Sequence, residues 1–385
     1  MNDIYINEEH RLIRQTVRDF AEQVIKPVAQ QLDEDEVFSQ ETCQQMGEIG
    51  LFGINAPTKY GGHGMDTLSY IIAVEELARV DGSHAATIAA HNSLGITPIV
   101  YAGSEEQKQK YIAPLCDGKG LWAFGLTEPD AGSDSRASKT TAVLDGDEWV
   151  INGSKIFITN GASDLTNGVT VQAVTNEIDG KKEFSTIIVE KGTPGFSAEE
   201  MHGKMMWRAS NTAALYFDNC RVPKENLLGE RGMGSKLMLK TLDGGRLSIA
   251  AMGLGCAQGA YELALQYAQE RKQFGREIYK FQTISFYLAD MALQIELARN
   301  LLYKACWLKD GGKQYAKEAA MAKLYCSEIA KEVADKAVQI HGGYGLMKEY
   351  DVERFYRDQR LLQIGEGTSE IQRLVISRHI LRENM

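Results

Sequence analysis

Paired cysteines, closely spaced histidines and long apolar runs are all missing from this chain of 385 residues. The cysteines form no CxxC pair and the histidines no pair at metal-ligand spacing, so neither a disulfide framework nor a metal site is predicted. We expect buried free thiols in a reducing compartment. The residues concerned are Cys43, Cys116, Cys220, Cys256, Cys306 and Cys326, and His10, His63, His84, His91, His202, His341 and His379.

Targeting signals, membrane spans and excess positive charge are also missing. The acidic first residues predict neither a secretory signal nor an arginine-rich transit peptide. The longest apolar stretch, 85–102, is interrupted by His91, Asn92, Ser93 and Pro98 and is not predicted to span a membrane. A net charge of -10 argues against a nucleic-acid partner. We therefore expect a soluble, cytoplasmic globular protein.

Hydrophobic periodicity divides the chain into three blocks. The first third has helical spacing, with Asn7 as an N-cap, a kink or end at Pro27 and a capping box after Ser104. The middle third has short β-branched runs and a hairpin around Asp145-Gly146. The segregated order predicts an α+β fold rather than a doubly wound sheet. The predicted domains are an N-terminal helical domain, 1–120, a middle antiparallel β domain, 121–231, and a C-terminal four-helix bundle, 232–385.

Nucleotide-binding motifs give little guidance. The glycines at 253, 255 and 259 resemble a dinucleotide fingerprint but have one residue too many and lie inside helical pattern with no preceding strand. Close helix packing explains them better. No Walker-type phosphate loop is present, and Ser133 does not lie in a nucleophile elbow.

The stretch with the most chemical potential is Gln363–Gln372, in which Glu366 stands between Gly365 and Gly367. Helical pattern stops at Leu362 and resumes afterwards, so the carboxylate is predicted to lie on a short break between helices, which suits a general base. A simpler alternative is that Glu366 and Glu370 only cap the last helix, with Thr368 as the N-cap.

Four further stretches could bind a ligand or be purely structural. The loop 124–134 could wrap a polar heterocycle through main-chain hydrogen bonds, or be an ordinary turn. Strand 155–160 could supply a ring-stacking wall. The cations of 271–276, followed by Gln282, could bind a diphosphate or form a solvated corner. The paired glycines of 339–345 could approach a ligand or simply end a helix.

Taken together, these stretches resemble the flavin-dependent acyl-CoA dehydrogenase family over the whole chain. The loop Gly125-Leu-Thr-Glu-Pro-Asp-Ala-Gly-Ser-Asp134 and the pattern from Gln339-Ile-His-Gly-Gly-Tyr-Gly345 to Glu349, Arg354 and Asp358 match two family signatures. Between them the segments 204–212, 221–223 and 243–246 stand at their family places.

The resemblance implies a bound FAD and assigns its contacts. The residues implied to hold the cofactor are Phe124, Leu126, Thr127, Gly132, Ser133, Phe157, Ile158, Thr159, Arg271, Phe274, Gln282, Gln339, Ile340, His341, Gly342, Gly343, Thr368 and Glu370. Those implied to contact the acyl-CoA thioester are Ser133, Asp243, Arg246 and Gly367. Some of the FAD contacts come from a neighbouring subunit in the family, which implies a homotetramer.

The resemblance also implies the reaction. Glu366 would remove the α-proton of the thioester, the β-hydrogen would leave as hydride to the flavin, and electrons would pass to an electron-transfer flavoprotein. Burial by flavin and acyl chain should raise the pKa of Glu366 towards neutrality. The thioester carbonyl oxygen would accept hydrogen bonds from the backbone N–H of Glu366 and from a ribityl hydroxyl of the flavin. Departures at Trp207, Phe157 and Gly365 leave the acyl chain open, with a short, branched or cyclic group favoured. Glutaryl-specific members of the family carry an arginine where Ala85 stands, which argues against a dicarboxylic substrate.

Two alternative functions stay open on sequence alone. One is an acyl-CoA oxidase or a related flavin oxidase or monooxygenase on the same fold, although such oxidases are usually longer and often peroxisomal. The other is a helical binding protein that kept the fold and lost the chemistry. Retention of Glu366 with the flavin-loop residues argues against the second.

Overall fold

The N-terminal part of the chain is helical, as predicted. In the computed structural model, which describes residues 4–383, it contains α1 (Glu8–Phe20), α2 (Lys26–Asp35), α3 (Gln40–Glu48), α4 (Thr67–Ala78), α5 (Gly82–Ala90), α6 (Thr97–Ala102) and α7 (Glu105–Cys116). Asn7 caps α1, and Ser104 with Gln107 forms the predicted capping box of α7. The chain does not end its helix at Pro27. Helix α1, a π-helical turn (Ala21–Ile25) and α2 run on continuously, and the wider π turn directly before Pro27 accommodates a residue without an N–H.

Helix α4 is the centre of the helical core, because all of its residues are buried. It packs against α1 and against the long helix α8 (Gly234–Glu270). A Cβ atom at Gly255 of α8 would lie 2.3 Å from the carbonyl oxygen of Glu75, and one at Gly259 would lie 2.1 Å from that of Arg79. These glycines therefore allow close packing of two helices, as the sequence analysis favoured, and do not form a nucleotide-binding turn.

The middle part is a seven-stranded sheet with strand order β1-β4-β2-β3-β7-β6, in which β5 also pairs with β4. Its strands are β1 (Leu121–Gly125), β2 (Thr141–Asp145), β3 (Glu148–Thr159), β4 (Thr166–Ile178), β5 (Lys181–Glu190), β6 (Phe196–Glu200) and β7 (Thr212–Pro223). The predicted hairpin joins β2 to β3 through Gly146, which has φ 63°. Most pairings are antiparallel, but β2 meets β4 in parallel at Thr141 and Val174, and β1 and β4 run parallel over their whole contact. The sheet is thus mixed, because the β2–β3 hairpin between them forms a crossover long enough for parallel pairing.

The C-terminal part is helical, also as predicted. It contains α8, the short strands β8 (Lys272–Gln273) and β9 (Arg276–Glu277), α9 (Gln282–Asp310), α10 (Ala316–His341), α11 (Val352–Leu362) and α12 (Ser369–Glu383). Helices α8, α9 and α10 pack on one another, and α11 and α12 both pack on α10. In place of the expected four helices, this part has three long helices, α8, α9 and α10, and two short ones, α11 and α12. The stretch that carries Glu366 lies between α11 and α12.

Membrane spans and metal clusters are missing from the part of the chain that the structure describes. Between residues 4 and 383 no helix is long and apolar enough to cross a bilayer. The same residues contain no group of three or more His, Cys, Asp or Glu side chains arranged to hold a metal ion. All six cysteines are free and buried, as expected.

Candidate active site

Glu366 lies on a strained turn between two helices. Helix α11 ends at Leu362 and α12 begins at Ser369, and between them Glu366 has φ 52° and Gly367 has φ 97°. A left-handed conformation is uncommon for a residue with a side chain, so the surrounding contacts must hold it. Thr368 does act as the N-cap, because its Oγ1 accepts the N–H of Ile371 at 3.3 Å.

Glu366 as a whole is half-buried, but its Oε2 atom is buried against α8. Its Oε2 atom has no hydrogen-bond partner among the described residues. A Cβ atom at Gly245 would lie 1.9 Å from that oxygen and 3.3 Å from Cδ2 of Leu94. Only glycine at 245 therefore leaves room for the carboxylate, which faces the interior instead of capping α12.

The environment of Glu366 suits a base that works near neutral pH. Burial raises the pKa of Glu366 to about 7, and the positive charges of Lys323 and Arg246 oppose that rise. Burial within the chain thus already produces the shift that the sequence analysis attributed to flavin and substrate. A carboxylate with such a pKa and a free oxygen can accept a proton from a weak carbon acid.

Two buried side chains that sequence reasoning missed hold the turn. Lys323 Nζ donates to the Gly367 carbonyl oxygen at 2.6 Å. Gln372 Nε2 donates to the same oxygen at 2.9 Å and to the Glu366 carbonyl oxygen at 3.3 Å. Both side chains are 0% exposed. The available signal was a lysine in helical phase with the small residues Ala319 and Ala320 on the buried face of α10.

The loop after β1 meets the base through an apolar cluster. Phe124 and Leu126 are buried and form this cluster with Met238 of α8, and Leu94 and Leu242 pack against it. Leu94 also lies beside Gly245, where the carboxylate sits. The structure therefore brings the predicted flavin loop and the predicted base to one face of α8.

A buried ion pair fixes the backbone of that loop. Lys155 Nζ donates to Glu128 Oε1 at 2.7 Å and to the Leu126 carbonyl oxygen at 3.2 Å. Glu128 also accepts the N–H groups of Lys139 and Thr140. Burial alone would raise the pKa of Glu128, but Lys155 and these donors hold it below its usual range. The pair leaves Thr127 half-buried, while Gly132 and Ser133 are exposed.

An exposed aromatic ring stands at the end of strand β3. Phe157 is 64% exposed, with φ 60°, whereas its neighbour Ile158 is buried and Thr159 is half-buried. A large aromatic side chain held outwards by a left-handed backbone conformation fits a surface on which a planar ring stacks.

Asp243 and Arg246 form a partly buried ion pair on α8. Arg246 Nη1 donates to Asp243 Oδ1 at 2.5 Å, and Arg246 Nε has no hydrogen-bond partner among the described residues. Burial raises the pKa of Asp243, and Arg246 partly offsets this effect. Because Arg246 also lowers the pKa of Glu366, the two predicted thioester contacts lie in the same electrostatic environment as the predicted base.

The remaining predicted cofactor contacts form a second cluster. The Arg271 guanidinium lies 5.5 Å from the centroid of the Tyr344 ring. This contact joins the start of the β8–β9 hairpin to the segment after α10. Phe274 is 93% exposed, with φ 50°, and Gln282 is exposed at the start of α9. Between residues 4 and 383, no hydrogen bond, ion pair or ring contact links this cluster to Glu366 or to the loop after β1.

At the end of α10, some of the predicted cofactor-binding residues are buried and others are exposed. The His341 ring is buried, stacks on Tyr267 at 4.2 Å and bonds the Ala337 carbonyl oxygen through Nδ1 at 2.8 Å. Ile340 is also buried, whereas Gln339, Gly342 and Gly343 are exposed. A Cβ atom at either glycine would meet nothing within 4 Å, so backbone there is open to a ligand. Of the last two predicted contacts, Thr368 is half-buried and Glu370 is exposed.

Comparison with known proteins assigns the family. The descriptions that match are acyl-CoA dehydrogenase N-terminal domain over residues 7–119, middle domain over 123–220 and C-terminal domain over 232–381. The chain belongs to the acyl-CoA dehydrogenase family. The resemblance seen in the sequence and the predicted enzyme class, an acyl-CoA dehydrogenase, are thereby confirmed.

Several relatives are similar over nearly their whole length. A short-chain specific acyl-CoA dehydrogenase of Clostridium acetobutylicum is 50% identical over 99% of this chain and 100% of its own. Butyryl-CoA dehydrogenase from Megasphaera elsdenii has a TM-score of 0.95 and 43% identity, covering 98% and 99%. A chain in a structure described as the electron transferring flavoprotein of Acidaminococcus fermentans has a TM-score of 0.96 and 48% identity, covering 99% and 100%.

A further solved relative carries the cofactor. An acyl-CoA dehydrogenase from Bacillus anthracis, described as complexed with FAD, has a TM-score of 0.91 and 37% identity and covers 98% of this chain and 69% of its own. In the present chain the exposed Phe157 ring, the open glycines Gly132, Gly342 and Gly343 and the fixed loop after β1 fit such a group.

Proposed function

We propose that this acyl-CoA dehydrogenase binds FAD and converts short-chain acyl-CoA thioesters to trans-2-enoyl-CoA, with Glu366 as the base. The observation that carries the proposal is the Glu366 carboxylate itself. Its Oε2 is buried and has no partner among the described residues, and burial raises its pKa to about 7. An unpartnered carboxylate of this kind is poised to take a proton from a bound molecule.

The residues of the chain have separate tasks in this reaction. Glu366 Oε2 removes the α-proton, which becomes acidic enough only when the thioester carbonyl oxygen accepts hydrogen bonds. Following the family resemblance, the backbone N–H of Glu366 is one of those donors. Gly367, Ser133 and the Asp243–Arg246 pair hold the thioester, and the apolar cluster around Leu94 excludes water. FAD, when bound, supplies the acceptor for the hydride from the β-carbon.

Two observations support a short, monocarboxylic acyl chain. The names of similar proteins specify short-chain and butyryl-CoA substrates. Ala85, at the position where glutaryl-specific members carry an arginine, is completely buried in this chain. No cation at that position is available for a second carboxylate.

The proposal also includes the oligomeric state, the location and the electron acceptor of the protein. Following the family resemblance, the cluster around Arg271, Phe274 and Gln339–Gly343 serves the FAD of a neighbouring subunit in a homotetramer. Electrons pass to an electron-transfer flavoprotein; the similar chain in the Acidaminococcus fermentans structure supports this partner. We also place the protein in the cytoplasm. The domain boundaries 1–120, 121–231 and 232–385 remain part of the proposal, and the changes from α7 to β1 and from β7 to α8 support them.

The visible spectrum of the purified protein tests the proposal. We expect a yellow protein that bleaches when butyryl-CoA is added without oxygen. Glu366→Gln keeps the shape of the side chain and the flavin but should bleach about 10²–10⁴-fold more slowly, because general-base catalysis contributes that much. A protein that takes up no FAD would instead support the non-catalytic binding protein. Rapid bleaching of the Glu366→Gln variant would remove Glu366 from the reaction.

A further inference from the structure

Lys323 is the least expected buried group near the site. It lies on α10, its side chain is 0% exposed, and its Nζ donates to the Gly367 carbonyl oxygen at 2.6 Å. Burying an ammonium group is costly unless it is paired and hydrogen-bonded. Such a cation is weak evidence for stability, so its partners indicate what it does.

The partners of Lys323 belong to the turn that presents Glu366. The carbonyl that Lys323 binds belongs to Gly367, the residue after Glu366. The left-handed backbone conformation of Glu366, with φ 52°, is strained and must be held by contacts with other parts of the chain. Gln372 shares the same carbonyl oxygen at 2.9 Å. Two buried side chains from different helices thus hold one peptide of the turn, and only Lys323 brings a charge.

We propose that Lys323 is a positioning residue for Glu366: its buried ammonium anchors the Gly367 carbonyl, fixes the turn and stabilises the ionised carboxylate. This inference rests on the proposed role of Glu366 as the base. It assigns the correct placement and ionisation of that base to a residue of α10 that acts through the Gly367 carbonyl.

The charges around the pair agree with this role. Lys323 and Arg246 both lower the pKa of Glu366 against the effect of burial. Burial in turn lowers the pKa of Lys323 to about 8, while Glu366, and more weakly Glu370 and Glu328, raise it and Arg246 lowers it. On α4, Tyr70 also faces this region; burial is the main reason that its pKa is raised, and the charge of Glu366 adds to the rise. Glu366 is therefore the principal negative charge that Lys323 meets.

Lys323→Met and Gln372→Leu separate the charge from the hydrogen bond, because each removes one donor to the same carbonyl. In the loaded enzyme with butyryl-CoA, we expect Lys323→Met to raise the apparent pKa in the kcat profile by about one pH unit. The ionised fraction of the base then falls about fivefold at pH 7, with KM and FAD content unchanged. Gln372→Leu should lower kcat without moving the profile.

A second readout does not use turnover. The infrared carboxylic-acid band that Glu366→Gln lacks reports the protonation of Glu366 between about pH 5 and 9. We expect Lys323→Met to retain this band to higher pH than the wild type. Lys323→Gln, which keeps a donor without the charge, is measured by the same criteria and replaces Lys323→Met if that variant does not fold.

The outcomes distinguish the two proposals. A folded Lys323→Met or Lys323→Gln variant with the wild-type kcat profile and infrared titration would overturn the role of Lys323. If Glu366→Gln is inactive in the same experiments, the proposal that Glu366 is the base still holds. If Glu366→Gln turns over normally, the proposed function itself fails. If Gln372→Leu moves the profile as far as Lys323→Met does, the charge of Lys323 is not what matters, and the inference fails.

Discussion

Replacing Gly245 by alanine should disable the enzyme without unfolding it. The added Cβ would lie 1.9 Å from Glu366 Oε2, whereas ordinary contact begins near 3.4 Å, so the carboxylate must move by about 1.5 Å. A misplacement of about 1 Å can cost about 10²-fold in rate, which corresponds to about 2.7 kcal/mol of transition-state stabilisation. The carboxylate lies at the end of a flexible side chain, and alanine favours a helix by about 1 kcal/mol over glycine. Stability should therefore change little.

The neighbouring glycine is a matched control. A Cβ atom at Gly244 would meet only Lys309 Nζ, at 3.6 Å, which is an ordinary contact. Gly244→Ala has the same effect on helix propensity and should keep the wild-type rate. Anaerobic stopped-flow reduction by butyryl-CoA and thermal unfolding would measure both variants. A Gly245→Ala enzyme within about threefold of wild type would refute the placement of the carboxylate, and so would equal losses in the two variants.

Three further predictions concern pH and packing. The kcat of the wild type should rise with pH through about 7, because only ionised Glu366 accepts the α-proton; a profile that is flat through neutral pH would contradict this. Burial raises the pKa of Asp358 to about 7, so this group stabilises the fold fully below its unfolded pKa and loses that contribution as pH rises through about 7. The Asp358→Asn side chain can still accept the backbone N–H of Trp207. In this variant the free energy of unfolding should fall less steeply with pH, by up to about 1.4 kcal/mol per pH unit between about pH 4 and 7. Denaturant titrations that show the wild-type slope would exclude this role of Asp358. Gly255→Ala should destabilise the fold by about 1–3 kcal/mol, because its Cβ would meet rigid backbone of α4; calorimetry showing no loss relative to Gly244→Ala would disprove the close packing.

The features that could be predicted from the sequence are those set by interactions between residues close together in the chain. Helical spacing, the capping residues at Asn7 and Ser104 and the turn at Gly146 act over a few residues, so the order of helix, sheet and helix was predictable. The break around Glu366 was predictable for the same reason, since glycines interrupt helical pattern locally. The family, and with it FAD, was indicated by contiguous motifs.

Tertiary structure alone decided the chemistry of the site. Glu366 acquires its raised pKa because it is buried beside Gly245 of α8, and Lys323 of α10 and Arg246 of α8 only partly offset that rise. The parallel pairing of β1 with β4 and the burial of the His341 ring likewise depend on segments that are distant in sequence. Desolvation, charge and steric room at a side chain are set by whatever packs around it, and no local pattern records those neighbours.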